Sequence, residues 1–236
     1  MRAIILAGGK GTRLKPYTTI LPKPLVPIGG KYTILEIIIK QLVGCGFTHI
    51  TLAVNHMAQL IQAYFGNGDK YGIRIDYSLE SKELSTIGPL TLIEDLPENF
   101  LVMNGDILCN LNYMSLLNDH IKSSVDVTVS TFERISKIDF GVIVKDGSNQ
   151  IINFIEKPEY SHEVSMGIYC MSKNVINSLE KNEKYGFDDL MIDSIKINRK
   201  VMIKSFNGYW LDIGRAEDYD FANENFEELN VKLGLN

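Results

Sequence analysis

Arg2-Ala3-Ile4-Ile5-Leu6-Ala7-Gly8-Gly9-Lys10-Gly11-Thr12-Arg13-Leu14 decides the fold class of this chain. Residues 3–6 are a short, continuous apolar run, the pattern of a strand buried on both faces. The run ends in three glycines within four positions, Gly8, Gly9 and Gly11. Such a turn lets backbone N–H groups converge on one point and lets a bulky anion approach closely. Arg13, and Lys23 ten residues later, bring fixed positive charge to the same place. Together these are the parts needed to hold a nucleoside triphosphate.

The segments that follow alternate. Residues 33–42 read as a helix ended near Gly44 and Gly46, 49–54 as a strand, 57–65 as a helix stopped by Gly66, and 73–77 as a strand. A helix over 87–95, with Pro89 in its first turn, a strand over 100–103 and a helix over 113–122 continue the series. This order predicts an α/β fold: a Rossmann-like mixed, mainly parallel sheet flanked by helices. The second half is richer in strands, at 125–132, 141–144, 151–155, 164–170 and 201–206, and predicts a small additional sheet layer. Helices are expected at 174–179 and 188–195, and a closing helix at 217–229. No Pro/Gly/Ser-rich linker divides the halves, so residues 1–236 are expected to form a single domain.

Composition narrows the function classes. The chain has 236 residues, 45% hydrophobic and 22% charged, ordinary values for a globular protein. A net charge of −5 argues against a general nucleic-acid-binding surface. Cys45, Cys109 and Cys170 lie far apart in apolar stretches, without metal-ligand or disulfide spacing, and the four histidines form no cluster. The first residues do not read as a signal peptide and no stretch reaches the length of a membrane span, so a cytoplasmic protein with no membrane partner is expected.

The glycine turn is neither of two common phosphate-binding patterns. Leu14 stands where the third glycine of a dinucleotide fingerprint would be, and no Gly-Lys is followed by Ser or Thr as a Walker A loop requires. What remains, G-G-x-G-T-R-L followed by Leu21-Pro22-Lys23-Pro24, resembles the signature of the sugar-1-phosphate nucleotidyltransferases, also called nucleotide-sugar pyrophosphorylases. The resemblance runs to Trp210-Leu211-Asp212-Ile213-Gly214. In length and in the style of residues 21–29 it is nearest the short bacterial mannose-1-phosphate and heptose-1-phosphate guanylyltransferases. It implies the nucleotide-diphospho-sugar transferase fold. Some relatives carry a C-terminal hexapeptide-repeat domain, for which this sequence shows no repeats.

The same resemblance implies the site. Arg13, Lys23, Asp106 and Asp212 are the expected catalytic residues, with Asp106 and Asp212 holding Mg²⁺. Asp106 follows an apolar strand, at the sheet edge where open α/β folds bind ligands, and magnesium takes one or two carboxylates plus phosphate oxygens. Nucleotide contacts are expected from Leu6, Ala7, Gly8, Gly9, Gly11, Thr12, Arg13, Lys23, Glu80, Thr86, Gly88, Asn104 and Gly105. Glu80 stands where the family reads the base edge. A carboxylate only accepts hydrogen bonds, and guanine can occupy both of its oxygens, so GTP is favoured over UTP, dTTP or CTP. Ser85 and Ile87 depart from the family's usual small residues there. The sugar phosphate is expected at Gly141, Glu156, Lys157 and Ser165, where Ser165-Met166 replaces a frequent Asn-Ala. The implied substrates are a nucleoside triphosphate and a sugar 1-phosphate, mannose- or heptose-like, with other phosphorylated acceptors or a catalytically silent regulatory subunit as alternatives. A homodimer is expected on general grounds.

Overall fold

The computed structural model describes residues 1–235. It opens with β1 (Arg2–Leu6), in which Ala3, Ile4 and Ile5 are fully buried. Two short strands, β2 (Pro27–Ile28) and β3 (Tyr32–Thr33), pair antiparallel and lead into α1 (Ile34–Gly44). Thr33 is the cap of that helix rather than its first residue, because its hydroxyl accepts the Glu36 N–H at 3.1 Å. β4 (His49–Val54), α2 (Ala58–Phe65) and β5 (Arg74–Leu79) follow as the sequence predicts.

Residues 87–95 depart from expectation: only a 3₁₀ turn forms, over Gly88–Leu92. The backbone N–H groups of Ile87 and Gly88 both donate to the Tyr185 carbonyl, and Thr91 Oγ1 donates to the Gly88 carbonyl at 2.7 Å. The Ile87 and Leu90 carbonyls accept from Leu90 and Ile93, three residues on, so the segment keeps the tighter 3₁₀ pattern while the Tyr185 carbonyl anchors its first N–H groups. β6 (Asn99–Asn104), β7 (Ile107–Cys109) and α3 (Tyr113–Ser123) come next, α3 capped by Asn112.

The second half contains β8 (Val127–Lys137), β9 (Val142–Lys145), β10 (Ile151–Ile155), β11 (Glu159–Ser172), α4 (Lys173–Asn177), α5 (Phe187–Lys196), β12 (Val201–Phe206) and β13 (Trp210–Asp212). The single closing helix expected over 217–229 is two, α6 (Ala216–Glu224) and α7 (Phe226–Lys232). Asn225 leaves helical geometry and donates its side-chain amide to the Phe221 carbonyl at 2.8 Å, which turns Phe226 toward Gly29.

Seven strands form the main sheet in the order β12-β8-β11-β6-β1-β4-β5. β6, β1, β4 and β5 are parallel, β11 runs antiparallel to both its neighbours, and β12 is parallel to β8. The sheet is therefore mixed and mainly parallel. The long strands of the second half extend this sheet, and the additional layer is confined to the small antiparallel ladders β9–β10, β7–β13 and β2–β3. Alternation along β1 serves both faces: Ala3 and Ile5 join the larger core with α1, and Ile4 joins a second core with Phe100, Val102 and Leu190. Beyond Phe132 the β8–β11 ladder leaves the body and carries the β9–β10 hairpin as a projecting arm.

Candidate active site

Four adjacent parallel strands deliver their carboxyl ends to one edge. Leu6 pairs with Asn104 in register, and beyond that pair the Gly105 N–H donates to the Leu6 carbonyl at 2.9 Å. A Cβ at Gly105 would lie 3.0 Å from the same oxygen, so this close approach needs glycine. Asn55 follows β4 and Glu80 follows β5, whose N–H reaches the Val54 carbonyl at 3.0 Å. This is the edge at which open α/β sheets take ligands.

A cavity of about 450 Å³ opens there. Of the expected nucleotide contacts, Leu6, Gly8, Gly9, Thr12, Glu80, Thr86 and Asn104 line it, together with Asp106. Lys10, Asn55, Glu83 and Pro89 also line it and were not among the expected contacts, and Ser85, one of the two departures from the family pattern, lines it too. Lys10, inside the glycine turn, carried a readable signal; Asn55 is placed only by the β4–β5 pairing. A Cβ on Gly8 would stand 2.7 Å from Glu80 Oε1, so the glycine turn and the base-edge carboxylate are packed against each other. Burial pushes the Glu80 carboxyl above its ordinary range, against hydrogen bonds from Leu84 and Asn55 that favour the ionised form.

Other expected residues act from behind the lining. Gly11 sits at φ +61° with Thr18 Cγ2 and Lys23 Cβ at 3.0 and 3.1 Å from where its Cβ would be, so it brings the Lys23 stem under the turn. Ala7 is buried and bonds its N–H to the Ala53 carbonyl. Gly88 is not among the lining residues; its N–H is held by the Tyr185 carbonyl, and a Cβ there would meet the Glu183 carbonyl.

The charged centre lies at the end of β6. Lys23, 9% exposed, places Nζ 2.5 Å from Asp106 Oδ2. Asp106 Oδ1 is buried and has no hydrogen-bond partner among the described residues. β13 pairs antiparallel with β7, setting Asp212 opposite Ile107, and the Ile213 N–H donates to the Asp106 carbonyl at 3.0 Å. The two aspartates, distant in sequence, are neighbours through this three-residue ladder. Burial raises the Asp212 carboxyl above its usual range, the Asp106 charge adds to the rise, and Lys23 and Arg13 oppose it. All four expected catalytic residues therefore share one electrostatic neighbourhood.

A second cavity, of about 590 Å³, is lined by Arg13, Asp212, Trp210 and Phe132, together with Arg134 and Arg215, two cations not singled out from sequence. Gly141, Glu156, Lys157 and Ser165 are not among the residues lining either cavity. Gly141 and Glu156 are brought together, since a Cβ at Gly141 would lie 3.1 Å from Glu156 Oε2. Lys157 is exposed and its φ of 45° is in the left-handed region, uncommon for a residue with a side chain. Ser165 Oγ donates to the Tyr169 hydroxyl at 3.2 Å and accepts the Gly167 N–H at 3.3 Å, beside a register shift in β11 that presses Gly167 on Asn104. Among the described residues no group of three or more His, Cys, Asp and Glu side chains is arranged to hold a metal, and no helix is long and apolar enough to cross a membrane.

The chain is similar to several known proteins. Over 233 residues the chain is 34% identical to a mannose-1-phosphate guanyltransferase of Yarrowia lipolytica, covering 93% of this chain and 62% of that protein. Over 241 residues it is 32% identical to a UTP–glucose-1-phosphate uridylyltransferase of Synechocystis sp., covering 93% and 61%. The chain thus spans less than two thirds of these relatives' lengths. Among solved structures, HddC of Yersinia pseudotuberculosis in complex with GMP-PN superposes with a TM-score of 0.71 at 28% identity, over 95% of this chain and 99% of that one. Residues 2–228 match the family described as Nucleotidyl transferase, and the chain belongs to that family.

Proposed function

We propose that this chain transfers a nucleoside monophosphate from a nucleoside triphosphate, GTP by preference, to a mannose- or heptose-like sugar 1-phosphate, releasing pyrophosphate. One observation carries the reading: the glycine turn, Glu80, and the Lys23–Asp106 pair meet at the end of the central strands, with Asp212 ladder-paired beside them. A phosphate oxygen of the acceptor attacks the α-phosphorus, and the bond to the pyrophosphate oxygen breaks. The acceptor is anionic near neutral pH, since a phosphate monoester's second pKa is about 6, so no general base is needed.

The chain's residues then supply positioning and charge. Backbone N–H groups from Gly8 to Thr12, with Arg13, hold the β- and γ-phosphates. Lys23 stabilises charge at the α-phosphate, Glu80 accepts hydrogen bonds from the base, and Glu156, Lys157 and Ser165 orient the sugar phosphate. Asp106 and Asp212 are the residues that would hold Mg²⁺. The unpartnered Oδ1 of Asp106 and an oxygen-only donor pair suit a hard cation that draws its other ligands from phosphates and water. Bound there, the ion would neutralise charge on the phosphates.

The test is a pyrophosphate-release assay with Mg²⁺, crossing GTP, UTP, CTP, dTTP and ATP with a panel of sugar 1-phosphates. Release with GTP and a manno-configured acceptor is expected. The uridylyltransferase relative makes UTP with glucose 1-phosphate the second pair to examine. Triphosphate binding with no release across the panel would overturn the catalytic reading.

A further inference from the structure

Arg13 lines the cavity of about 590 Å³ and not the one that takes the glycine turn and Glu80. The two cavities adjoin where Asp106, lining the first, is the electrostatic neighbour of Asp212, lining the second. A nucleotide with its base at Glu80 and its α-phosphate at Lys23 and Asp106 therefore directs its outer phosphates past Asp212 toward Arg13. Two more guanidinium groups line the cavity there, from Arg134 and Arg215.

Each is placed by its own backbone. On β8, Arg134 lies two residues beyond Phe132 and so on the same face, and the Phe132 ring packs on Trp210 at a centroid distance of 5.3 Å. Arg215 follows β13, and its N–H donates to Asp218 Oδ2 at 2.8 Å, as the Gly214 N–H does at 3.1 Å. That carboxylate oxygen is engaged by backbone. Asp212 is the second carboxylate of the proposed cation site, which leaves Glu217 to offset three arginines. Among the described residues no hydrogen bond or ion pair engages the guanidinium of Arg13, Arg134 or Arg215. A lone surface arginine is merely solvated, but three unpaired planar forks lining one concavity beside the charged centre suit a phosphoryl anion.

The expected acceptor residues Gly141, Glu156, Lys157 and Ser165 are not among those lining this cavity, so the acceptor phosphate is not the anion it fits. An in-line displacement expels its leaving group on the side away from the acceptor. Breaking the α–β bridge also leaves the bridging oxygen with a negative charge that it lacks in the triphosphate. Cations placed here therefore act more on the departing pyrophosphate than on the bound nucleotide.

We infer that Arg134 and Arg215 complete, with Arg13, a pocket for the pyrophosphate end of the reaction. The inference rests on the nucleotidyl transfer proposed above and adds two binding residues from outside the glycine turn. The pocket spans two parts of the molecule. Residues 133–165, on the projecting arm, lie outside both buried cores, whereas Arg13 and Arg215 belong to the body. An anion held between them ties the root of the arm to the body, and its binding should be visible in the arm backbone.

Calorimetric titration of the full chain with inorganic pyrophosphate and Mg²⁺, without nucleotide, tests the pocket apart from turnover. Saturable binding is expected, weakened about tenfold or more in Arg134→Gln and further in Arg134→Gln/Arg215→Gln, while GMP binds every variant within about twofold of wild type. In the reverse reaction the same variants should raise the KM for pyrophosphate and leave that for the GDP-sugar within about twofold. Both positions are exposed, so the circular dichroism spectrum should be retained. Should a variant misfold, hydrogen exchange of the wild type decides: pyrophosphate protecting residues 132–136 and 213–217 supports the pocket, and protection confined to the glycine turn overturns it. Absence of pyrophosphate binding to the wild type, unchanged affinity in the double variant, or a raised acceptor KM in place of a raised pyrophosphate KM each overturn the inference. Binding that depends on both arginines in a chain that turns over no substrate pair would keep the pocket and fail the catalytic reading.

Discussion

Replacing Lys23 with Met keeps the length of the buried stem and removes the ammonium group, which isolates the charge at the centre of the site. Asp106 would lose its partner at Oδ2, with Oδ1 already unpartnered among the described residues. A hydrogen bond to a charged group contributes about 1.5–3 kcal/mol, and breaking a fully buried pair costs about 3–5 kcal/mol. The Asp106 side chain is 25% exposed, so solvent relieves part of that loss and about 2 kcal/mol is expected. For a domain of this size that is a fall in Tm of about 4–8 °C. Mg²⁺ should restore more of the loss in Lys23→Met than it adds to the wild type, because in the wild type Lys23 competes with the cation for the same carboxylate. On the proposed function the single-turnover rate should fall about 10²–10³-fold, with nucleotide affinity changed far less. Calorimetry with and without Mg²⁺ and quenched-flow single turnovers measure both. A Tm within 1 °C of wild type, or a single-turnover rate within about twofold, would refute the argument.

Asp106→Asn keeps an oxygen for Lys23 but removes the charge that pairs with it, so turnover should be lost while the fold is retained with a Tm lowered no more than in Lys23→Met; a wild-type rate at saturating Mg²⁺ would sink the metal assignment. Glu80→Gln tests the base edge and has a pH signature. Because burial raises the Glu80 carboxyl, the folded state holds its proton to higher pH than the unfolded chain, and wild-type stability falls as pH rises through that window. The Gln variant has nothing to ionise, so its Tm relative to wild type should grow from about pH 4 to pH 7 while GTP binding weakens about tenfold or more; parallel Tm profiles would contradict this. Gly29→Ala would drive a Cβ into the Phe226 ring at a backbone φ of 61°. Overpacking and left-handed strain together should cost about 3 kcal/mol, or roughly 6–12 °C in Tm, and a loss under 2 °C would show that the two helices yield there.

What the sequence made legible was local. The apolar run at β1 and the glycine turn are adjacent in the chain, and their anion-binding character follows from spacing, whereas the metal role expected of Asp106 came from the family resemblance. The helix at 34–44 was readable because its apolar spacing and its Thr33 cap lie within one segment. Residues 87–95 were misread because the groups that hold them lie far along the chain: the Tyr185 carbonyl accepts the Ile87 and Gly88 N–H groups, and the Asn182 N–H donates to the Thr91 hydroxyl. The closing helix was read as one because Asn225 breaks it with a side-chain bond that apolar spacing does not reveal. Arg134 and Arg215 were missed for a similar reason: each is an ordinary cation until β8 and the segment after β13 are brought to one cavity.

The position of Asp212 rests on a ladder only three residues long, which makes its anchoring a separate question. Trp210 is the anchor. Its indole N–H donates to the Met166 carbonyl at 3.2 Å and its ring packs on Phe132 at a centroid distance of 5.3 Å, tying β13 to β11 and β8 as well as to β7. Two residues further on, Asp212 is solvent-exposed on its outer side, while desolvation and the neighbouring Asp106 charge make its carboxyl resist ionisation, so unsupported backbone would let it swing further into water and away from the pair. Trp210→Leu removes both anchors, and the half-exposed position limits the stability loss to about 1–2 kcal/mol. Its larger effect should fall on the metal: the Mg²⁺ concentration for half-maximal turnover should rise about tenfold, while GTP protection against thermal unfolding in the absence of Mg²⁺ stays near wild type. Trp210→Phe keeps the ring contact, loses the hydrogen bond, and should lie between the two. Equal Mg²⁺ requirements in all three proteins would mean that the Ile213–Asp106 backbone bond alone holds the second carboxylate in place.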